Sequence, residues 1–89
     1  MLTVKNVTKD IQNSSRDTVR LWEAKNVRLE HVDYDKTEEF PDIVPYTKAE
    51  VHFEMRDGTS CSIDTGIVYV MNDAGKTIEI FRLARSEAL

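Results

Sequence analysis

One cysteine, two prolines and three glycines are all that 89 residues contain of those types. The lone Cys61 cannot close an internal disulfide, so a domain this small must stand on its packing or on self-association, in a reducing, cytoplasmic setting. Scarce glycine and proline exclude collagen-like and low-complexity chains. No run approaches the roughly 18 uncharged residues that a membrane-spanning helix takes, and the start Met1-Leu2-Thr3-Val4-Lys5 has no apolar signal core. Neither membrane nor secretion is expected, and the sequons Asn6-Val7-Thr8 and Asn13-Ser14-Ser15 are read as chance. An excess of positive charge is missing too. Twelve Lys and Arg against sixteen Asp and Glu give a net charge of -4, which disfavours a general nucleic-acid coat.

What is present is ordinary for a folded chain: 40% hydrophobic residues, 31% charged, and seven aromatics. Residues 1–89 form one small domain, which on folding hides somewhat over 60% of the surface its unfolded chain exposes. The charge is uneven. Met1 to Leu29 carries six basic and three acidic residues, Glu30 to Asp42 one and six, Ile43 to Leu89 five and seven. A basic segment followed by an acidic one is able to pair within the fold or across an oligomer.

Ala49, Val51, Phe53 and Met55 alternate with polar residues, as a half-buried strand does. Arg56-Asp57-Gly58 supplies a turn, and Thr59 to Asp64 resumes the alternation. A three-residue loop with Gly58 left-handed pairs Met55 with Thr59, Phe53 with Cys61 and Val51 with Ile63, placing the apolar residues on one face. Ile67 to Met71 is an uninterrupted apolar run and reads as a strand covered on both faces. Asn72 to Gly75 is a second turn, after which Val70 is expected to meet Ile78, and Val68 to meet Ile80. The last three strands then form a meander, and residues 85–89 a frayed end.

The first half is less regular. Val19, Leu21, Val27 and Leu29 alternate and are read as two strands joined near Ala24 to Asn26. Val4, Val7 and Ile11 fit one helical face, yet Thr and Val are mediocre helix formers, so Thr3 to Gln12 is read as a short helix or a strand, the helix being preferred. Asp35 to Pro45, acidic and holding both prolines, is a loop. The fold class expected is mainly β (α+β): an antiparallel sheet of about five strands ending in a three-strand meander, with one short N-terminal helix.

Several motifs invite a chemical reading. Asp64-Thr65-Gly66 resembles the catalytic triplet of retropepsin-like aspartic proteases, whose chemistry needs two aspartates sharing a proton. The resemblance covers three positions. In that family the triplet lies early and is answered by a later hydrophobic-Gly segment, whereas only 23 residues follow Gly66 here, so the triplet reads as a turn. Ala74-Gly75-Lys76-Thr77 lacks the Gly five positions earlier and the following helix of a P-loop. Asp33, Asp35, Thr37 and Glu39 mimic alternating EF-hand ligands, but Glu38 and Val44 stand where a Gly and a bidentate Glu are required. Phe53 opposite Cys61 turns the thiol inward and His52 outward, which separates the one nucleophile-base pair on offer. No catalytic residue, metal or cofactor is therefore expected.

Three function classes remain. The first is a non-catalytic binding or assembly protein acting as a homodimer, with Arg20, Trp22, Ile78, Ile80 and Phe81 as interface candidates, because the apolar strand at 67–71 has too little chain to cover both its faces. The second is a nucleic-acid-associated regulator using Arg16, Arg20, Trp22, Lys25 and Arg28. The third is a metal-binding protein or a small hydrolase built on Asp64.

Overall fold

The computed structural model describes residues 1–9 and 17–83, and every regular element among them is a strand. β1 (Leu2–Thr8), β2 (Thr18–Tyr34), β3 (Tyr46–Met55), β4 (Ser60–Ile63), β5 (Gly66–Met71) and β6 (Thr77–Leu83) form one antiparallel sheet in the order β4-β3-β2-β1-β5-β6. The mainly-β antiparallel expectation holds, with six strands in place of five. Of the helix or strand read over Thr3 to Gln12, the preferred helix is corrected to the strand Leu2–Thr8, residues 10–12 lying outside those described, as do Arg16 and the 85–89 tail. Buried Val4 and Asn6 stand two apart, and β1 pairs along both edges, with β2 and β5. That pairing outweighs a weak local preference for helix.

β2 is one strand of 17 residues, not two. What reads in sequence as a break is a β-bulge between Ala24 and Asn26, which absorbs Lys25 and bends the strand. The half before the bulge pairs with β1, and the half after it pairs with β3. The bulge also switches faces. Trp22 and Ala24 share the inner face with Val4, and past Lys25 that face continues through Val27 and Leu29, so Val19 and Leu21 point out.

The β3–β4 hairpin has the expected register, Phe53 opposite Cys61 and Val51 opposite Ile63. Its loop closes through Met55 N to Thr59 O at 2.8 Å and Gly58 N to Met55 O at 3.0 Å, with Gly58 at φ 88°. The expected meander is corrected: β4 and β5 are not neighbours. In a flat sheet four inter-strand spacings, about 19 Å, would separate them. Asp64 and Thr65 alone join them, and three Cα steps reach at most about 11 Å. The sheet must therefore roll into a half-barrel, which also brings β6 into contact with β3. Inside lie Val4, Ala24, Val51, Phe53, Ile63 and Val68, with Phe81 and Leu83 packed against them.

The register of the last hairpin also differs from expectation. Met71 faces Thr77 as the turn dictates, but a bulge at Val70/Met71 pairs Val70 with Glu79 and Val68 with Phe81, not with Ile78 and Ile80. That one-residue slip turns Phe81 and Leu83 into the barrel and Ile80 outward. The described residues do not cover β5 fully on both faces. Val68 and Val70 are buried, whereas Ile67, Tyr69 and Met71 are half-buried on the outer face.

Candidate functional site

The rolled sheet leaves a cleft of about 540 Å³, lined on one side by Asn6, Arg20 and Trp22 and on the other by Cys61, Ile63 and Thr65, with Phe53 between. Strand parity places the first three: Trp22 lies opposite Val4, and Arg20 opposite Asn6, so all face inward. The Trp22 ring packs on Phe53 with centroids 5.3 Å apart and planes tilted by 51°, a favourable geometry for an aromatic pair. The second side is held by Asn6, whose Nδ2 donates to the carbonyls of Thr65 at 3.1 Å and Ile67 at 3.2 Å. Asp64 also lines the cleft, and its Oδ2 accepts from Lys48 Nζ at 2.5 Å. That contact holds the Lys48 ammonium above its ordinary pKa. Arg20 makes no ion pair among the described residues.

Arg20 and Trp22, singled out from sequence, do come together here. The other members of the basic set do not join them. Arg28 projects from the outer face and binds Glu30 at 2.5 Å, Lys25 sits in the bulge 3.5 Å from Glu54, and Arg16 is outside the described residues. Of the dimer candidates, Ile78 and Ile80 are exposed, at 50% and 47%, whereas Trp22 and Phe81 are half-buried against the core. Asn6 was missed. Its signal is an amide in step with the inward Val4, legible only once residues 2–8 are known to be a strand.

Asp64-Thr65-Gly66 is the link between β4 and β5, and its aspartate is engaged by Lys48. Cys61 is half-buried and lines the cleft, while His52 lies on the opposite face of the sheet. Among the described residues no three His, Cys, Asp or Glu side chains converge as a metal site would need. No helix among them is long and apolar enough to cross a membrane.

Outside the β2–β3 ribbon runs a polar chain. Glu50, 6% exposed, accepts from the Tyr34 hydroxyl at 2.5 Å and lies 2.9 Å from His52 Nε2, whose Nδ1 is 3.7 Å from Glu30. The Tyr34 hydroxyl, then His52, holds the Glu50 carboxyl below its ordinary pKa, and the same bond raises Tyr34. Tyr34 stacks on Tyr46 with centroids 5.1 Å apart. This network ties the side chains of the outer ribbon to one another.

The outer face of β2-β1-β5-β6 holds apolar side chains bordered by Thr3, Lys5, Glu23 and Arg82. Register aligns Val19, Val7 and Ile67 in one row, and Leu21, Tyr69 and Ile80 in the next, with Lys5 between Leu21 and Tyr69. Val19 is 55% exposed and Leu21 62%. The Lys5 ammonium sits 5.7 Å over the Tyr69 ring. The chain matches no protein-family model, no curated protein and no solved structure.

Proposed function

We propose that this chain is a non-catalytic binding or assembly protein of the cytoplasm that works as a homodimer, joined through the outer face of β2-β1-β5-β6. The observation that carries the reading is the pair of aligned rows, Val19-Val7-Ile67 and Leu21-Tyr69-Ile80, half-buried to exposed on the face of the sheet that turns away from the core. Apolar residues scattered singly on a surface need no explanation, but six aligned on one face in two neighbouring rows, interrupted only by Lys5, do. A second copy fits them because a self-complementary apolar patch satisfies a two-fold contact.

The test is light scattering across a size-exclusion column at micromolar concentration. A dimer is expected for the wild type and a monomer for Leu21→Asp, whose circular dichroism should remain that of the folded chain because Leu21 points away from the core. A monomeric wild type, or a Leu21→Asp dimer, overturns the reading.

A further inference from the structure

We infer that the cleft beside Trp22 is a peptide site, and that its occupant is the acidic, Phe40-bearing loop tip (Glu38 to Asp42) of a second copy of this chain. The cleft has the size of a built site, about 540 Å³. Its polar groups are mostly spent: the Asn6 amide on two carbonyls, and Asp64 on Lys48. Arg20 is the cation left over, beside the half-buried face of Trp22. A guanidinium next to an indole and a phenyl ring recognises a carboxylate carried close to an aromatic or apolar side chain.

That chemistry is presented at an exposed loop tip by Glu38-Glu39-Phe40-Pro41-Asp42. All five residues are exposed, Phe40 to 61%, with Val44 beyond them at 78%. The tip is not a slack loop. Thr37 and Phe40 exchange backbone hydrogen bonds at 3.4 and 3.2 Å, Ile43 N donates to Phe40 O at 3.5 Å, and the Thr37 hydroxyl accepts from Phe40 N at 3.1 Å. At its base the stacked Tyr34 and Tyr46 end a ribbon paired continuously from Asn26 and Glu54. Tied in this way, the tip presents Phe40 to solvent instead of stretching back to its own cleft, so a neighbouring copy receives it. The charges match, since Arg20 in the cleft makes no ion pair among the described residues and the tip carries the exposed carboxylates Glu38, Glu39 and Asp42. A tip-in-cleft contact uses two different surfaces, so it is heterologous and extends assembly beyond a two-fold dimer.

The inference rests on the self-association reading only in taking a second copy as donor, and its experiment separates the two. A synthetic peptide of residues 35–45 is titrated into the full chain, followed by the emission of Trp22, the sole tryptophan, and by protection of Cys61 from alkylation. Saturable binding is expected, weakened by about tenfold or more in Arg20→Glu protein and lost with a Phe40→Ala peptide. Leu21→Asp protein should still bind the peptide, so a failure of the outer-face dimer leaves this result standing, and the converse also holds. No response up to millimolar peptide, or equal binding to Arg20→Glu, overturns the inference. Binding confined to a Phe40→Ala protein that stays monomeric overturns it as well, by assigning the cleft to the chain's own tip.

Discussion

Asn6 and Thr65, 59 positions apart, are joined by a 3.1 Å hydrogen bond from the Asn6 amide to the Thr65 carbonyl. The same nitrogen reaches Ile67 O at 3.2 Å, so one buried side chain fixes both flanks of Gly66. Through it β1 sets the position of the β4–β5 link, and with it one wall of the cleft.

Asn6→Ala should cost about 1–3 kcal/mol, the usual penalty when a buried hydrogen-bonding partner is removed. Asn6→Asp should cost more, because an ionised carboxylate would face two carbonyl oxygens in a site that is 6% exposed. Denaturant unfolding of the two variants checks the order. If Asp is tolerated better than Ala, the donor role assigned to Asn6 is wrong.

Gly66 should be the one glycine that cannot be replaced. It sits at φ 82°, and a Cβ there would lie 2.5 Å from Val7 O and 2.9 Å from Thr8 Cγ2. The nearer obstacle is backbone of the central strand, which is unable to yield. Gly58 and Gly75 also have positive φ, at 88° and 78°, but a Cβ at either meets nothing within 4 Å. Alanine at those two turns should cost about 1–2 kcal/mol for the left-handed conformation alone. Gly66→Ala should lose several times that, or fail to fold, and thermal melts of the three variants rank them directly.

Acid sensitivity should trace to Glu50. Its carboxyl is held below the ordinary 4.5 by the Tyr34 hydroxyl and then His52. A group depressed in the folded state contributes stability above its unfolded pKa and loses it as pH falls through the folded value. Tyr34→Phe should therefore be less stable than wild type at pH 7, with the gap narrowing as pH falls below about 4.5. At the alkaline end the sign reverses. Tyr34 is raised above 10.0, so its contribution is complete below that value and fades as pH climbs through the folded pKa. A gap between wild type and variant that stays constant from pH 3 to 7 would refute the coupling.

Turn chemistry is local, and the sequence read it correctly wherever the turn decided the outcome. Arg56-Asp57-Gly58 set Phe53 opposite Cys61 because a three-residue loop with Gly58 left-handed is the one that keeps the apolar residues on a single face. The same logic placed Met71 opposite Thr77, then failed one residue later, since nothing in Thr77-Ile78-Glu79 announces a bulge. The pairing of β1 with β5, about sixty residues apart, and the rolling it imposes have no local signature either. Arg20 and Trp22 were visible as an exposed-cation and aromatic pair. The wall opposite them was not, because Asp64 and Thr65 read as a turn whose position in space depends on Asn6.

The clearest case is β2, and it yields the last prediction. Val19, Leu21, Val27 and Leu29 are all odd-numbered and look like one face of a strand, yet the first two point to solvent and the last two inward. Lys25 alone makes the difference. Deleting it would restore strict alternation, so Trp22 and Ala24 could face the core only if Val27 and Leu29 turned away from it, or the reverse. Either choice exposes two core side chains and removes the bend that lets β2 serve both β1 and β3. Deletion of Lys25 should abolish cooperative unfolding, whereas Lys25→Ala, which keeps the residue count and loses one exposed ion pair 3.5 Å long, should change stability by less than about 1 kcal/mol. Circular dichroism melts of the pair discriminate between them, and a deletion variant that melts like wild type would mean that the bulge is incidental to the fold.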